Sequence, residues 1–560
     1  MNVFATSNHY DDVPATAEIE LQTRNAQVGG QPPEPAWDSG LYDAAIEPSE
    51  HHGHLTGIKL VAVVAATTMA VFLTMLDSSI VATAIPRITD EFHAIDDIGW
   101  YASGYQLSSA VFQPLTGKIY SRFSLKWSFL AFFIIFEIGS AVCGAARSSH
   151  MFIVGRCVAG LGSAALLNGT LTIVAAAVPL ERRPSLTGAA MGLSQLGIAV
   201  GPVLGGVFTS FASWRWCFYI NLPVGALVFL GLAFTRIPEQ IEKGNGMDVL
   251  KNLHRELDIR GFFLLASPAI MLLAALQLGG DEYAWNSPTI IGLFTRAGVV
   301  FLVWLAWDWY CGDDALVPFF LMRNTVIAAG SLVQWCTMSS VFVASYFLPL
   351  YFQAVKDATP VMSGVYVLAS IGTQLLSAVS SGVLVEKTGY VIPYAVVSGA
   401  VSAVSNGLYS TLSPSSPVSH WVGFQILNGF GRGLGLQMPL LAAQTVLSPA
   451  DLSLGLAMLV FSGMLGTSIT LAVADTMFGQ KLRSELAKVV SNQTEVGRII
   501  QAGATDFRRV VKDPAKLSDV LEAYANSIKQ PWYLAAGLGA LSVFSSLFLG
   551  WIDVRGSQIM

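Results

Sequence analysis

Long apolar runs separated by short polar breaks dominate the pattern of this chain. A helix needs about twenty apolar residues to cross the hydrocarbon layer of a membrane, and runs of that length recur from end to end. Six lie at 58–85, 98–116, 127–146, 151–178, 186–210 and 217–235. A charged stretch follows, then a pair at 260–280 and 289–309, then a short loop holding Asp313, Asp314 and Arg323. Six more lie at 325–353, 361–385, 390–411, 420–446, 453–476 and 532–552. The pattern predicts an all-α polytopic membrane protein of fourteen spans. Two six-helix halves, 58–235 and 325–552, flank two inserted helices at 260–309; a cytosolic linker occupies 236–259, a long extracellular loop 478–531, and cytosolic tails 1–57 and 553–560.

Composition agrees with lipid as the solvent. Over 560 residues, 53% are hydrophobic and 12% charged, more apolar surface than a soluble core can hide. The net charge of −6 comes mostly from the amino-terminal tail, where nine acidic residues face the single Arg24, so no nucleic-acid partner is implied. Cys143, Cys157, Cys217, Cys311 and Cys336 fall mostly inside apolar runs at no metal-ligand spacing, which predicts neither a disulfide framework nor a metal site. The tail lacks the basic start and short apolar core of a secretory signal and reads as disordered. Its His51, His52 and His54 are taken as a solvated stretch rather than as metal ligands.

Basic residues in short loops mark the cytosolic side. With the amino terminus inside, the cytosolic loops hold Lys118, Arg122, Lys126, Arg182, Arg183, Arg236, Lys243, Lys251, Arg255, Arg260, Arg323 and Lys387, whereas the opposite short loops hold Arg87, Arg147, Arg215 and Lys356. The 478–531 loop is basic, but a loop that long translocates regardless of charge. Within it Asn492-Gln493-Thr494 is an N-glycosylation sequon on the side this topology requires; a second, Asn168-Gly169-Thr170, falls inside a span and is unreachable.

The two halves repeat. Gly117 in Gly-Lys-Ile-Tyr-Ser-Arg answers to Gly382 at an offset of 265; Arg156-x-x-x-Gly160-x-Gly162 answers to Gln425-x-x-x-Gly429-x-Gly431 at 269; Gly188-x-Ala-Met191 answers to Gly455-x-Ala-Met458 at 267. Near-equal offsets of eight spans each point to a transporter built of two halves around a central site.

Several of these stretches carry a family resemblance. Leu76-Asp77-Ser-Ser-Ile80 to Pro86, Phe112-Gln113-Pro114 running into Gly117 and Arg122, Arg156 with Gly160 and Gly162, Gly197-x-x-x-Gly201-Pro202-x-x-Gly205-Gly206, Trp214-Arg215-Trp216 to Asn221, and Gly431-Arg432-Gly433 to Gln437-Met-Pro439 are together similar to the fourteen-span drug:proton antiporter family of the major facilitator superfamily, in its fungal toxin and multidrug efflux branch. The resemblance covers about 60–551. It implies the major facilitator fold and proton-coupled efflux of small hydrophobic compounds, secondary metabolites such as mycotoxins or drugs. It also implies that Gly201, Pro202, Gly205 and Gly206 mark an exporter. One position departs from the superfamily pattern: where the loop after the second span normally has an acid, this chain has Ser121, and the acidic version survives as Glu386 in the second half.

Ionised groups at bilayer depth cost several kcal/mol unless paired or used, and few are present, among them Asp77, Glu137, Arg156, Arg432 and Asp475. Asp77 or Glu137 is expected to carry the coupling proton, binding it where water is excluded and releasing it on meeting Arg156 or solvent. The plainer alternatives are a structural Glu137–Arg156 pair and, for Asp77, a helix end at the water boundary. No histidine falls inside a span beyond His420, which sits at the very start of the run 420–446. The span-five glycines with Pro202 suit a hinge or sliding seam, or simply tight packing. Gly431 to Gly435 around Arg432 read the same way. Tyr105, Gln106, Gln195, Gln374 and Gln437 are candidates to line a mostly apolar pocket.

No phosphate-binding loop, zinc-protease motif or nucleophile elbow is present, so neither an enzyme nor ATP is implied, and the driving force is a proton gradient without a cofactor. At ~100 mV each charge supplies ~2.3 kcal/mol. The expected partners are membrane lipid, protons and a small hydrophobic substrate, with the chain a monomer in the cell membrane or, alternatively, the vacuolar membrane. Two other functions stay open: a carrier of basic amino acids or iron chelates, and a non-transporting sensor.

Overall fold

The computed structural model describes residues 54–94, 97–240, 243, 253–280, 283–490 and 492–555. The expectations for the tail up to residue 53, for linker residues 241, 242 and 244–252 and for the tail beyond 555 lie outside the described residues. Helices account for nearly everything else, and the described residues contain no strand beyond one isolated bridge between Gly279 and Tyr283.

The first half comprises α1 (Gly57–Phe92), α2 (Ile98–Arg122), α3 (Leu125–Gly144), α4 (Ser149–Ala177), α5 (Arg183–Phe211), the one-turn α6 (Trp216–Tyr219) and α7 (Asn221–Ala233). After α8 (Leu253–Glu256), the insert is a helical hairpin of α9 (Ile259–Leu278) and α10 (Pro288–Cys311). The short α11 (Phe319–Arg323) leads into α12 (Thr325–Ala354), α13 (Pro360–Tyr366), α14 (Leu368–Thr388), α15 (Ile392–Tyr409), α16 (Val418–Gly435) and α17 (Met438–Val446). The chain ends with α18 (Leu452–Val489), α19 (Gln493–Gln501), α20 (Gly503–Val510) and α21 (Pro514–Ser546). Ten helices among the described residues are long and apolar enough to cross a membrane, and α2, α15, α16 and α21 pack among them.

Local sequence sets the helix ends. Ser148 and Ser287 cap α4 and α10 by accepting from Met151 N and Ile290 N, each at 3.3 Å, and Pro288 fills a first-turn position whose missing donor costs nothing. Asp258, at φ 45°, caps α9 by accepting from Gly261 N at 2.9 Å. Gly389 closes α14 at φ 84°, the left-handed region glycine enters freely.

Polarity is turned inside out relative to a soluble protein. Phe211, Phe234, Leu302 and Phe548 are exposed, whereas Gln113, Asn168, Asn221, Asn406, Gln425 and Asn428 are buried. On α10 the buried positions Ile290, Ala297, Trp304 and Asp308 form one stripe, and the exposed positions are mostly apolar, Ile291, Phe301, Leu302 and Trp309 among them, with Thr295 and Arg296 as polar exceptions. Asn168, Asn221, Asn406 and Asn428 find partners on neighbouring helices, whereas neither side-chain polar atom of Gln113 or of Gln425 makes a hydrogen bond.

Within the first half α1 packs on α5 and α4 on α2 and α3; within the second, α12 packs on α18 and α21, and α14 on α16. The halves meet along two seams, α5 against α14 and α2 against α18, with α9 lying across α2 and α18. The segment 478–531, expected as a loop, is mostly helical: α18 runs on to Val489 and α21 begins at Pro514. The cause is an apolar set, Leu482, Leu486, Val496, Ile499, Phe507 and Tyr524, that clusters with Tyr351 and Phe352 at the end of α12 and stays helical by packing.

Candidate functional site

Four helices of the first half converge on one buried ion pair. Asp77 of α1 and Arg156 of α4 are 0% and 1% exposed, and Arg156 Nη1 donates to Asp77 Oδ2. Arg156 Nε donates to the Tyr101 carbonyl at 2.9 Å, and its guanidinium lies 4.4 Å from the centroid of the Tyr105 ring. Asn221 donates from Nδ2 to Asp77 Oδ1 at 3.2 Å and to Ser140 Oγ at 3.0 Å, while the Tyr105 hydroxyl donates to the Thr74 carbonyl at 3.2 Å. Every charge in this cluster is therefore compensated and hydrogen-bonded, the condition under which a buried pair is tolerated.

Asp77 is thus not a helix end at the water boundary, because α1 continues to Phe92. Nor does Arg156 pair with Glu137. On α4 the positions 155, 159 and 162 face α3: a methyl group on Gly155 would lie 2.7 Å from Cys143 Sγ, one on Gly162 would lie 2.3 Å from Phe136 N, and one on Gly139 would lie 2.3 Å from Ala159 N. Gly160 instead faces α2, where a methyl group would lie 2.3 Å from the Tyr105 carbonyl. One residue rotates a helix by about 100°, which carries Arg156 away from α3 and onto α2 and α1.

Glu137 is left on the α3–α7 contact. Neither of its carboxyl oxygens makes a hydrogen bond, and a methyl group on Gly225 would lie 2.1 Å from Oε1.

At the basic end of the bundle the two halves are in contact. A methyl group on Gly117 would lie 2.9 Å from Ala457 Cβ, one on Gly188 2.6 Å from the Ala378 carbonyl, and one on Gly382 2.4 Å from the Pro184 carbonyl. Ser453 Oγ donates to the Gly117 carbonyl at 3.1 Å, and Asn168 Nδ2 donates to the Ser453 carbonyl at 3.3 Å. Charges there lean on the insert. Arg122 Nε pairs with Glu256 of α8 at 3.2 Å, and Lys118, 3% exposed, donates to the Asp314 carbonyl with the carboxylates of Asp258, Asp314 and Asp308 acting on it. Ser121 Oγ, where the sequence lacks its acid, donates to the Lys118 carbonyl at 2.9 Å.

Toward the other end α2 and α18 separate around a cavity of about 850 Å³, walled also by α9, the α9–α10 turn and α12. Gln106 and Asp475 line it. Tyr105, Gln195 and Gln374 do not: Tyr105 lies under Arg156, Gln195 is half-buried on α5, and Gln374 is buried on α14. Gln437 is also buried, donating from Nε2 to the Ala378 carbonyl at 3.2 Å and to Ser381 Oγ at 3.1 Å.

Gly201 and Gly205 press against Ser79 and Thr83 of α1, whereas Gly206 and Pro202 sit on other faces of α5. Arg432 is 3% exposed and donates to the Val341 carbonyl and to Ser370 Oγ, with no carboxylate paired to it among the described residues. Asn492 is exposed and caps α19, its Oδ1 accepting from Thr494 N at 3.0 Å. Among the described residues no cluster of His, Cys, Asp and Glu is placed to hold a metal. Asn221 and Tyr101 were missed as site residues; the Trp214 to Asn221 signature contained the former, and a polar amide inside an apolar run was its signal.

The sequence profile of the Major Facilitator Superfamily matches residues 67–472. The chain is 47% identical over 512 residues to the MFS-type transporter pigP of Monascus ruber, covering 91% of this chain and 89% of the relative. It is 42% identical to the efflux pump mlcE of Penicillium citrinum, covering 93% and 95%. Among solved structures, a double-tryptophan mutant of XylE superposes with a TM-score of 0.58 at 12% identity over 89% of this chain and 97% of that one. The human organic anion transporter MFSD10 superposes at 0.53 and 15%, over 88% and 100%.

Proposed function

We propose, from the premise that this chain belongs to the major facilitator superfamily, that it drives export by exchanging its substrate for protons at Asp77. It is a multi-pass membrane transporter that exports small organic compounds, and not an enzyme. The observation that carries the coupling reading is the buried Asp77–Arg156 pair. A carboxylate held by a cation in a low-dielectric site has two sharply different states. Ionised, it locks α1 to α4 and, through Asn221, to α7; protonated, it loses the attraction while Arg156 keeps its bonds to Tyr101 and Tyr105. A proton arriving at Asp77 therefore loosens one helix contact at the centre of the half that must rock against its partner. Glu137, unpartnered and off this network, is the secondary candidate.

The glycine seams at the basic end support a state closed on that side, with the 850 Å³ cavity toward the other. With the basic end cytosolic, this is the outward-facing member of an alternating-access pair, in the cell membrane, acting as a monomer without a cofactor. One proton at ~100 mV supplies ~2.3 kcal/mol, and each ~1.4 kcal/mol sustains a tenfold substrate gradient.

The test is proton movement on adding candidate compounds to the purified protein in liposomes, comparing wild type with Asp77→Asn and Glu137→Gln. Coupling at Asp77 requires that Asp77→Asn abolish substrate-driven proton movement. Equal movement in all three proteins overturns the assignment.

A further inference from the structure

The inserted hairpin does more than pad the bundle, because its turn forms a wall of the cavity. Trp285, directly after that turn, lies on Gly279 and Gly280: a methyl group on either would stand 2.7 or 2.8 Å from its indole. The turn is closed by Gly280 N donating to the Tyr283 carbonyl at 2.8 Å and Tyr283 N donating to the Leu278 carbonyl at 3.0 Å, with Gly280 at φ +90°. Phe294 stacks on the indole from α10, centroids 6.4 Å apart and planes inclined by 21°. The ring is thus fixed before any ligand arrives.

The cavity lining is mixed: Leu276 of α9, Leu107 of α2 and Leu471 of α18 add apolar surface to that of Trp285. Gln106, Asp475 and Gln480 supply hydrogen-bonding groups on α2 and α18. Arg483 stands on the same helix as Asp475, so the described lining residues carry both signs of charge. A cavity of about 850 Å³ is the size of sites that take drug-sized ligands.

We infer that the insert builds part of the substrate site, with Trp285 the specificity-determining wall for an uncharged, flat, fused-ring molecule that carries hydrogen-bonding groups. The inference rests on the export reading, but binding tests it without transport. A preorganised aromatic face favours planar ligands, since little side-chain entropy is lost on binding. Polar groups of the ligand meet Gln106 and Gln480 while its ring system meets the indole.

The experiment is saturable binding of acridone, a neutral three-ring probe with one carbonyl and one N–H, to the full chain in detergent, read by fluorescence. Wild type is expected to bind; Trp285→Ala weakens binding roughly tenfold, and Trp285→Phe recovers most of it. Trp309→Ala, on the outward face of α10 at 75% exposure, leaves binding unchanged. No saturable binding to wild type, equal binding by wild type and Trp285→Ala, or equal loss in Trp285→Ala and Trp309→Ala each overturns the inference. So does displacement of acridone by phosphatidylcholine as effective as displacement by unlabelled fused-ring competitors, which would make this a lipid site. If Trp285-dependent binding persists in liposomes where no proton moves, the coupling reading fails and this one stands; if transport continues with Trp285-independent binding, the reverse holds.

Discussion

Asp77 and Arg156, 79 residues apart in sequence, form a pair that neither water nor lipid reaches. Removing one member leaves the other charged and uncompensated, which costs about 3–5 kcal/mol, whereas removing both can be nearly neutral. Asp77→Asn is therefore expected to lower the unfolding temperature in detergent more than Asp77→Asn combined with Arg156→Gln. The double variant recovers stability but not proton coupling. A double variant less stable than the single one would show that Arg156 earns its place through Tyr101 and Tyr105 alone.

Glu137 and Gly225 form a second, purely steric relationship. Gly225→Ala places a methyl group 2.1 Å from the Glu137 carboxyl and is expected to destabilise by about 1–3 kcal/mol. Glu137→Ala in the same chain removes the obstruction. Denaturation of the two single variants and the double gives the coupling, and additive effects would mean that the two side chains do not meet.

The seam at the basic end is set by glycine. Gly382→Leu cannot be seated with Cβ 2.4 Å from the Pro184 carbonyl, so the closed arrangement should lose population. A cysteine at Ala457, 1% exposed in the same closure, serves as reporter. In a background without native cysteines, a water-soluble maleimide should label it roughly tenfold faster after Gly382→Leu, the equivalent of ~1.4 kcal/mol. Unchanged labelling would place the gate elsewhere.

Outside the spans, Glu91 accepts from Arg215 at 2.9 and 3.0 Å and from Trp214 Nε1 at 2.6 Å. Those bonds, Arg215's first, hold its carboxyl below the ordinary value. A lowered native value means that the contribution is complete at neutral pH and is lost as pH falls through that value. Acid titration of the Trp214 fluorescence, taken as the difference from Trp214→Phe, should report a transition below the usual carboxylate range. Glu91→Gln should remove it.

If the basic end is cytosolic, Asn492 faces the secretory lumen during synthesis and its exposed side chain is open to glycosylation. Asn492→Gln should then abolish a glycosidase-sensitive mobility shift in a eukaryotic host. A shift that survives Asn492→Gln, or its absence from wild type, would count against this sidedness.

Much of the architecture was legible because apolar run length and the eight-span repeat record it directly, as Gly117 with Gly382 and Gly188 with Gly455 do. Asp77 and Arg156 were each recognisable as costly charges at depth. Their partnership was not, because it depends on which face of α4 a residue occupies. Position 156 and position 155 differ by one step in sequence but address different helices. Tyr105 illustrates the same limit: an aromatic residue beside a glutamine reads as cavity lining, yet only Gln106 reaches the cavity while its neighbour turns inward. The helical continuation past the eighteenth helix's apolar part was hidden by its charged surface, since Lys481, Arg483 and Lys488 obscure the buried Leu482 and Leu486 between them.

The acid missing at position 121 is answered by charges from Glu256, Asp258, Asp308 and Asp314, all outside the two repeated halves. Excising residues 253–323 to leave a twelve-helix carrier would remove all four carboxylates and uncover Lys118, 3% exposed, whose own loop has no acid. The hairpin therefore supplies the counter-charges that this loop lacks, and a chimera grafting this first half onto a twelve-helix relative should be more stable with Ser121→Asp than without it.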